Sequence, residues 1–118
     1  MSELKGKIDF TLFISAVNAN PNGDPLNGNR PRINMDGYGE ISDVCIKRKI
    51  RNRFQDLGQK IFVQSDDRTD DTYTSLKDRA DSCEELKKEM GNKKNANRDA
   101  CAKIACREWL DVRTFGQV

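Results

Sequence analysis

Five cations crowd into one short stretch of this chain: Lys47, Arg48, Lys49, Arg51 and Arg53, with no acid between residues 44 and 54. Guanidinium and ammonium groups at this density, without the i to i+4 acids that a solvated helix face normally carries, suit a polyanion. Upstream, Asn18, Asn20, Asn22, Asn27 and Asn29 offer amide donors and acceptors. Gly23 and Gly28 let backbone N–H groups approach a ligand closely, and Arg30 and Arg32 bracket Pro31 as potential phosphate forks. The chemistry predicted from Lys47, Arg48, Lys49, Arg51, Arg30, Arg32, Asn20, Asn22 and Gly23 is capture of a sugar-phosphate backbone without reading of its bases.

Other chemistries find less support. The chain has no His, so a base working near neutral pH would have to be a tuned carboxylate, Lys or Cys. Asp24 and Asp36 each stand beside Gly or Pro in turn-forming dipeptides, where a turn role outweighs a catalytic one. Cys45, Cys83, Cys101 and Cys106 form no CxxC pair, which argues against zinc and for free thiols in a reducing cytoplasm. Asp66, Asp67, Asp70 and Asp71 lack the order and closing Glu of a calcium loop. Neither a metal nor a cofactor is expected.

The elements that must position these groups follow from periodicity. Ile8, Phe10, Leu12, Ile14 and Ala16 alternate with Asp9, Thr11 and Ser15, predicting a strand over 8–17 with one buried face. Residues 18–39 hold Pro21, Pro25 and Pro31 and the turn pairs Asn22-Gly23, Asn27-Gly28 and Asp36-Gly37, which predict a long ordered loop. Ser42 or Asp43 then caps a helix whose stripe is Ile46, Ile50, Phe54 and Leu57 and whose stop is Gly58. Ile61-Phe62-Val63 is a short apolar run, a candidate brief strand. Ser75-Leu76-Lys77-Asp78 resembles a capping box opening a second helix with the stripe Leu76, Ala80, Cys83, Leu86 and Met90. Residues 92–97 read as a polar connector, and residues 98–110 as a third helix with Cys101, Ile104, Ala105 and Trp109 inward. Residues 111–118 turn strand-like.

The chain has 118 residues, 36% apolar and 34% charged, and a net charge of +2. That suits one small domain or a piece of a larger one. Charge is unevenly spread, since residues 64–89 carry nine acids against five bases. One strand and another begun at the last residue make no stable sheet, so an N-terminal fragment, or a sheet completed by partner chains, is expected. No signal peptide or membrane-crossing apolar run is found, and a cytoplasmic location is expected.

The run Ser15-Ala16-Val17-Asn18-Ala19-Asn20-Pro21-Asn22-Gly23-Asp24-Pro25, with Gly28-Asn29-Arg30-Pro31-Arg32, Asp36-Gly37-Tyr38-Gly39, Ser42-Asp43-Val44 and Lys47-Arg48-Lys49-Ile50-Arg51-Asn52, resembles the Cas-seven family. More closely, it resembles the backbone subunit of type I-C CRISPR Cascade complexes, and Trp109-Leu110-Asp111-Val112-Arg113-Thr114-Phe115-Gly116-Gln117-Val118 is similar to that subunit as well. The resemblance implies an α+β fold, a partial RRM or ferredoxin-like sheet in a single domain spanning 1–118, with the loop 18–39 and a helical insertion over 64–100. It implies a non-catalytic scaffold that polymerises along CRISPR guide RNA and presents it to target DNA, alongside other Cascade subunits and away from membranes. The related type III subunits cut target RNA with a loop Asp, so a ribonuclease using Asp24 or Asp36 is the rival expectation, and an RNA-independent interaction module is a third. Among aromatic residues only Tyr38 lies near the loop.

Overall fold

A computed structural model describes residues 4–91 and 96–117. It is α+β, with a two-stranded sheet and five helices among the described residues. The chain divides into two compact units, one up to Ser42 and one from Asp43 onward. Each unit is described separately.

The first unit is a hairpin built by turn chemistry. β1 (Gly23–Asp24) pairs antiparallel with β2 (Arg30–Pro31), in the register Gly23 to Pro31 and Asp24 to Arg30. Between them a 3₁₀ turn at Pro25–Asn27 has Pro at its start, where φ is already set and no N–H is missed. Asp24 caps that turn, its Oδ1 accepting from Leu26 N at 3.0 Å. Gly28 (φ 59°) and Asn29 (φ 57°) complete the reversal in the left-handed region, which Gly and Asn tolerate best. The ladder continues beyond the strands through Arg32 N to Asn22 O (2.9 Å), Glu40 N to Arg32 O (2.9 Å) and an isolated bridge between Ile33 and Gly39. Thus the 18–39 segment, expected to be irregular loop, folds back as a short hairpin.

The strand expected over 8–17 does not form. Those residues pair with nothing as strand, and their apolar side chains face water, Phe13 at 91% exposure. Alternation makes a strand only when a neighbour accepts its backbone hydrogen bonds and covers its apolar face. The wider ferredoxin-like sheet is likewise not among the described elements.

The second unit is helical. α1 (Asp43–Asp56) closes as expected at Gly58, whose φ of 74° allows Gly58 N to reach Gln55 O at 2.8 Å and Gln59 N to reach Phe54 O at 3.0 Å. The apolar stripe expected to continue from Leu76 to Met90 is interrupted: α2 (Leu76–Asp81) and α3 (Glu84–Gly91) are separate helices. Ser75 Oγ caps α2 by accepting from Asp78 N at 3.1 Å, and Ser82 ends it with its hydroxyl on Arg79 O at 2.7 Å. α4 (Arg98–Glu108) starts at Asn97, whose Oδ1 accepts from Asp99 N (3.0 Å) and Ala100 N (3.2 Å). Most of the 92–97 connector lies outside the described residues.

Two further expectations are corrected here. Residues 111–115, expected to be strand-like, lie in a helix, α5 (Leu110–Phe115), because Trp109 and Val112, three apart, are both drawn into the core. Ile61-Phe62-Val63 is not a strand either, but an irregular segment whose Ile61 and Phe62 are buried. Phe62, Leu86, Ile104, Trp109 and Val112 form the core, with Ala80, Cys83, Cys101, Ala105 and Cys106 packed against it. Phe62 and Trp109 meet with ring centroids 4.7 Å apart, tilted by 56°. The four cysteines are free thiols.

Candidate nucleic-acid interface

In the hairpin, the predicted residues are mostly architectural. Asn20 Nδ2 donates to Asn29 O at 2.8 Å. Asn22 Oδ1 accepts from Ser42 N at 2.8 Å, tying the exit of the hairpin to its entry. A Cβ on Gly23 would stand 1.9 Å from Asn29 Oδ1, so the glycine is needed for the close approach of that amide. Arg32 Nε donates to Glu40 Oε2 at 2.9 Å, whereas Arg30 is exposed on β2. Asp24 serves as a turn cap. Asp36 N and Tyr38 N both donate to Asn34 Oδ1, at 3.0 and 2.9 Å, an Asx turn that the sequence reading did not single out.

In the helical unit, α1 presents its cations unequally. Arg51 is 12% exposed and its Nε donates to Asp111 Oδ2 at 3.0 Å, with Asp111 itself 1% exposed. Asp111 also accepts from Phe62 N at 2.7 Å and Val63 N at 3.0 Å, so one carboxylate joins α5, the 61–63 segment and α1. Lys47 bonds Asp43 at 2.9 Å, one turn back, which corrects the expectation that these cations lack acids at i to i+4. Lys47 Nζ and Arg51 Cζ also lie 5.6 and 5.0 Å from the centre of the Phe115 ring. Arg48 is partly buried, and desolvation, aided by the like charge of Arg51, lowers its pKa from the usual arginine value. Lys49 and Arg53 point outward and are exposed, Arg53 at 4.0 Å from Asp56. The outward cations of the stretch are thus Lys49 and Arg53, while the half-buried Lys47 lies on the opposite flank with Arg51, which serves the fold.

Arg79 is the second buried charge, and reading by periodicity missed it. Its Nε and Nη2 fork onto Asp71 at 2.7 and 2.9 Å and its Nη1 donates to Phe62 O at 2.8 Å. These bonds hold the Asp71 carboxyl below the usual carboxylate range, the Arg79 hydrogen bond being the chief cause. A depressed folded-state pKa stabilises the protein above the unfolded value, about 3.9. That stability disappears as pH falls through the folded value. Asp71→Asn is therefore expected to flatten the acid limb of the stability–pH curve below about pH 4, measured by urea unfolding at stepped pH. An acid limb matching that of the unsubstituted chain would contradict the pairing.

Among the described residues, no group of three or more His, Cys, Asp or Glu side chains is placed to hold a metal ion. No helix among them is long and apolar enough to cross a membrane.

These features define a small α+β protein with a cation-bearing helix and an amide-laced hairpin. A profile of the family described as CRISPR-associated protein Cas7 matches residues 6–118, and the chain belongs to that family. It is similar to a CRISPR-associated protein Cas7 of Haloferax volcanii, 38% identical over 114 aligned residues. That alignment covers 89% of this chain and 30% of the relative, so the chain spans about a third of its length.

Proposed function

We propose that this chain is part of a non-catalytic guide-RNA-binding backbone subunit of a CRISPR effector complex of the type I-C Cascade kind. Family membership across residues 6–118 is the observation that carries the reading, and the outward Lys49 and Arg53 of α1 support it chemically. Lys49, Arg53 and Lys47 bind phosphates, Arg30 binds the backbone or a neighbouring subunit, and Asn20, Asn22 and Gly23 keep the hairpin in shape. The unpaired apolar face of residues 8–17 joins a ferredoxin-like sheet supplied by further chain. Head-to-tail contacts between identical subunits propagate without closing, which suits a filament along RNA that leaves base edges free for target DNA.

The intact protein is expected to copurify with a small RNA of uniform length, released by proteinase and sized on a denaturing gel. Nucleic-acid-free protein at low salt would sink the proposal.

A further inference from the structure

Arg48, Asn52 and Gln55 lie at i, i+4 and i+7 along one stripe of α1. The acidic turn 65–70 lies against that stripe. Gln55 Nε2 donates to Arg68 O at 2.9 Å, Arg68 Nη2 reaches Asn52 O at 3.4 Å, and Arg68 pairs with Asp56. The seam is poorly satisfied. Arg48 Nη1, Asn52 Oδ1, Gln55 Oε1, Ser65 Oγ and Arg68 Nε are buried without a hydrogen-bond partner in the protein. Each such atom has given up water and received no partner in return, which works against the closed arrangement. Asp111 and, more weakly, Asp67 of the turn act electrostatically on Arg48. The near edge of the turn is held by the partly exposed Arg68–Asp56 pair, while just beyond it Asp71 is anchored to the buried Arg79.

We propose that the turn 65–70 is a displaceable acidic cover on this flank of α1, and that the phosphodiester backbone of single-stranded RNA displaces it to reach Arg48. The proposal rests on the RNA-binding reading above. Lifting the turn returns the amide oxygens of Asn52 and Gln55 to water and gives Arg48 Nη1 a phosphate oxygen. The function-level consequence is that RNA binding and opening of the turn are one event, so the acidic segment competes with non-cognate polyanions for the helix.

Hydrogen exchange on the whole chain, with and without a uridine oligoribonucleotide, tests this. In the free protein Arg68 N bonds Ser65 O at 2.9 Å and Asp70 N bonds Gln64 Oε1 at 3.1 Å. With RNA bound, both amides are expected to exchange faster while amides of α1 exchange more slowly. Asp56→Asn, which loosens the Arg68 anchor, is expected to speed the same two amides without RNA and to tighten RNA binding about fivefold. RNA binding with the Arg68 and Asp70 amides unchanged or slowed overturns the cover and leaves the binding reading standing. Absence of RNA binding overturns both.

Discussion

Asp111→Ala is expected to cost about 3–5 kcal/mol of stability, because it breaks a buried ion pair and leaves the other partner uncompensated. The carboxylate is 1% exposed and accepts three bonds, from Arg51 Nε, Phe62 N and Val63 N. Its loss strands a guanidinium that is only 12% exposed, together with two amides in a segment that is not strand and has no ladder to fall back on. Domains of this size are stable by about 5–15 kcal/mol, so the variant approaches the unfolding threshold. Urea unfolding followed by circular dichroism measures the effect. The companion Arg51→Met/Asp111→Leu, which replaces both charges with apolar groups, is expected to recover most of the loss. A single variant as stable as the parent would show that Asp111 does not organise α1.

Trp109→Ala is expected to cost about 3–5 kcal/mol through cavity formation and lost transfer energy. Trp109 is 5% exposed, packs on Phe62 with centroids 4.7 Å apart, and sits in a core of five buried residues lined mostly by small alanine and cysteine side chains that fill the void poorly. Its position at the junction of α4 and α5 adds a second effect. Trp109 N bonds Ala105 O at 2.9 Å and the next amide, Leu110 N, bonds Lys60 O at 3.0 Å, so the buried ring anchors the residue at which α4 gives way to α5. Trp109→Phe should retain more than half of the stability lost in the alanine variant, since it refills most of the space. Equal stability of all three proteins would place the core elsewhere.

How much of this was readable before the fold was known depends on where each instruction resides. α1 was legible from Asp43 to Gly58, because its stripe and its glycine stop are local and the backbone obeys them. Pro25, Asn27-Gly28 and Asp36-Gly37 announced turns correctly, but Gly23 and Pro31, also read as loop, lie in strands, and their ladder depends on Asn29 adopting a left-handed conformation that no pattern required. Residues 111–115 were misread as strand because Val112, Thr114 and Phe115 are residues that strands favour. What decides the matter is tertiary: Asp111 is needed by the amides of Phe62 and Val63, nearly fifty residues away in sequence. The same blindness made Arg51 look like a surface cation. A buried acid between Leu110 and Val112 was the available signal, since an unpaired charge in an apolar stretch demands a partner. The 8–17 segment shows the reverse case, a correct local alternation whose strand cannot exist without neighbours.

The central claim is that α1 grips a sugar-phosphate chain irrespective of its sequence. It is tested most directly by measuring the affinity of the intact protein for single-stranded RNAs of unrelated sequence over a range of salt. Similar affinities for all sequences are expected, with log K falling linearly against log salt, and Lys49→Ala/Arg53→Ala should reduce that slope by about 1.4, two single-strand contacts. A slope and affinity unchanged by the double substitution, or strong preference for one sequence, would contradict it.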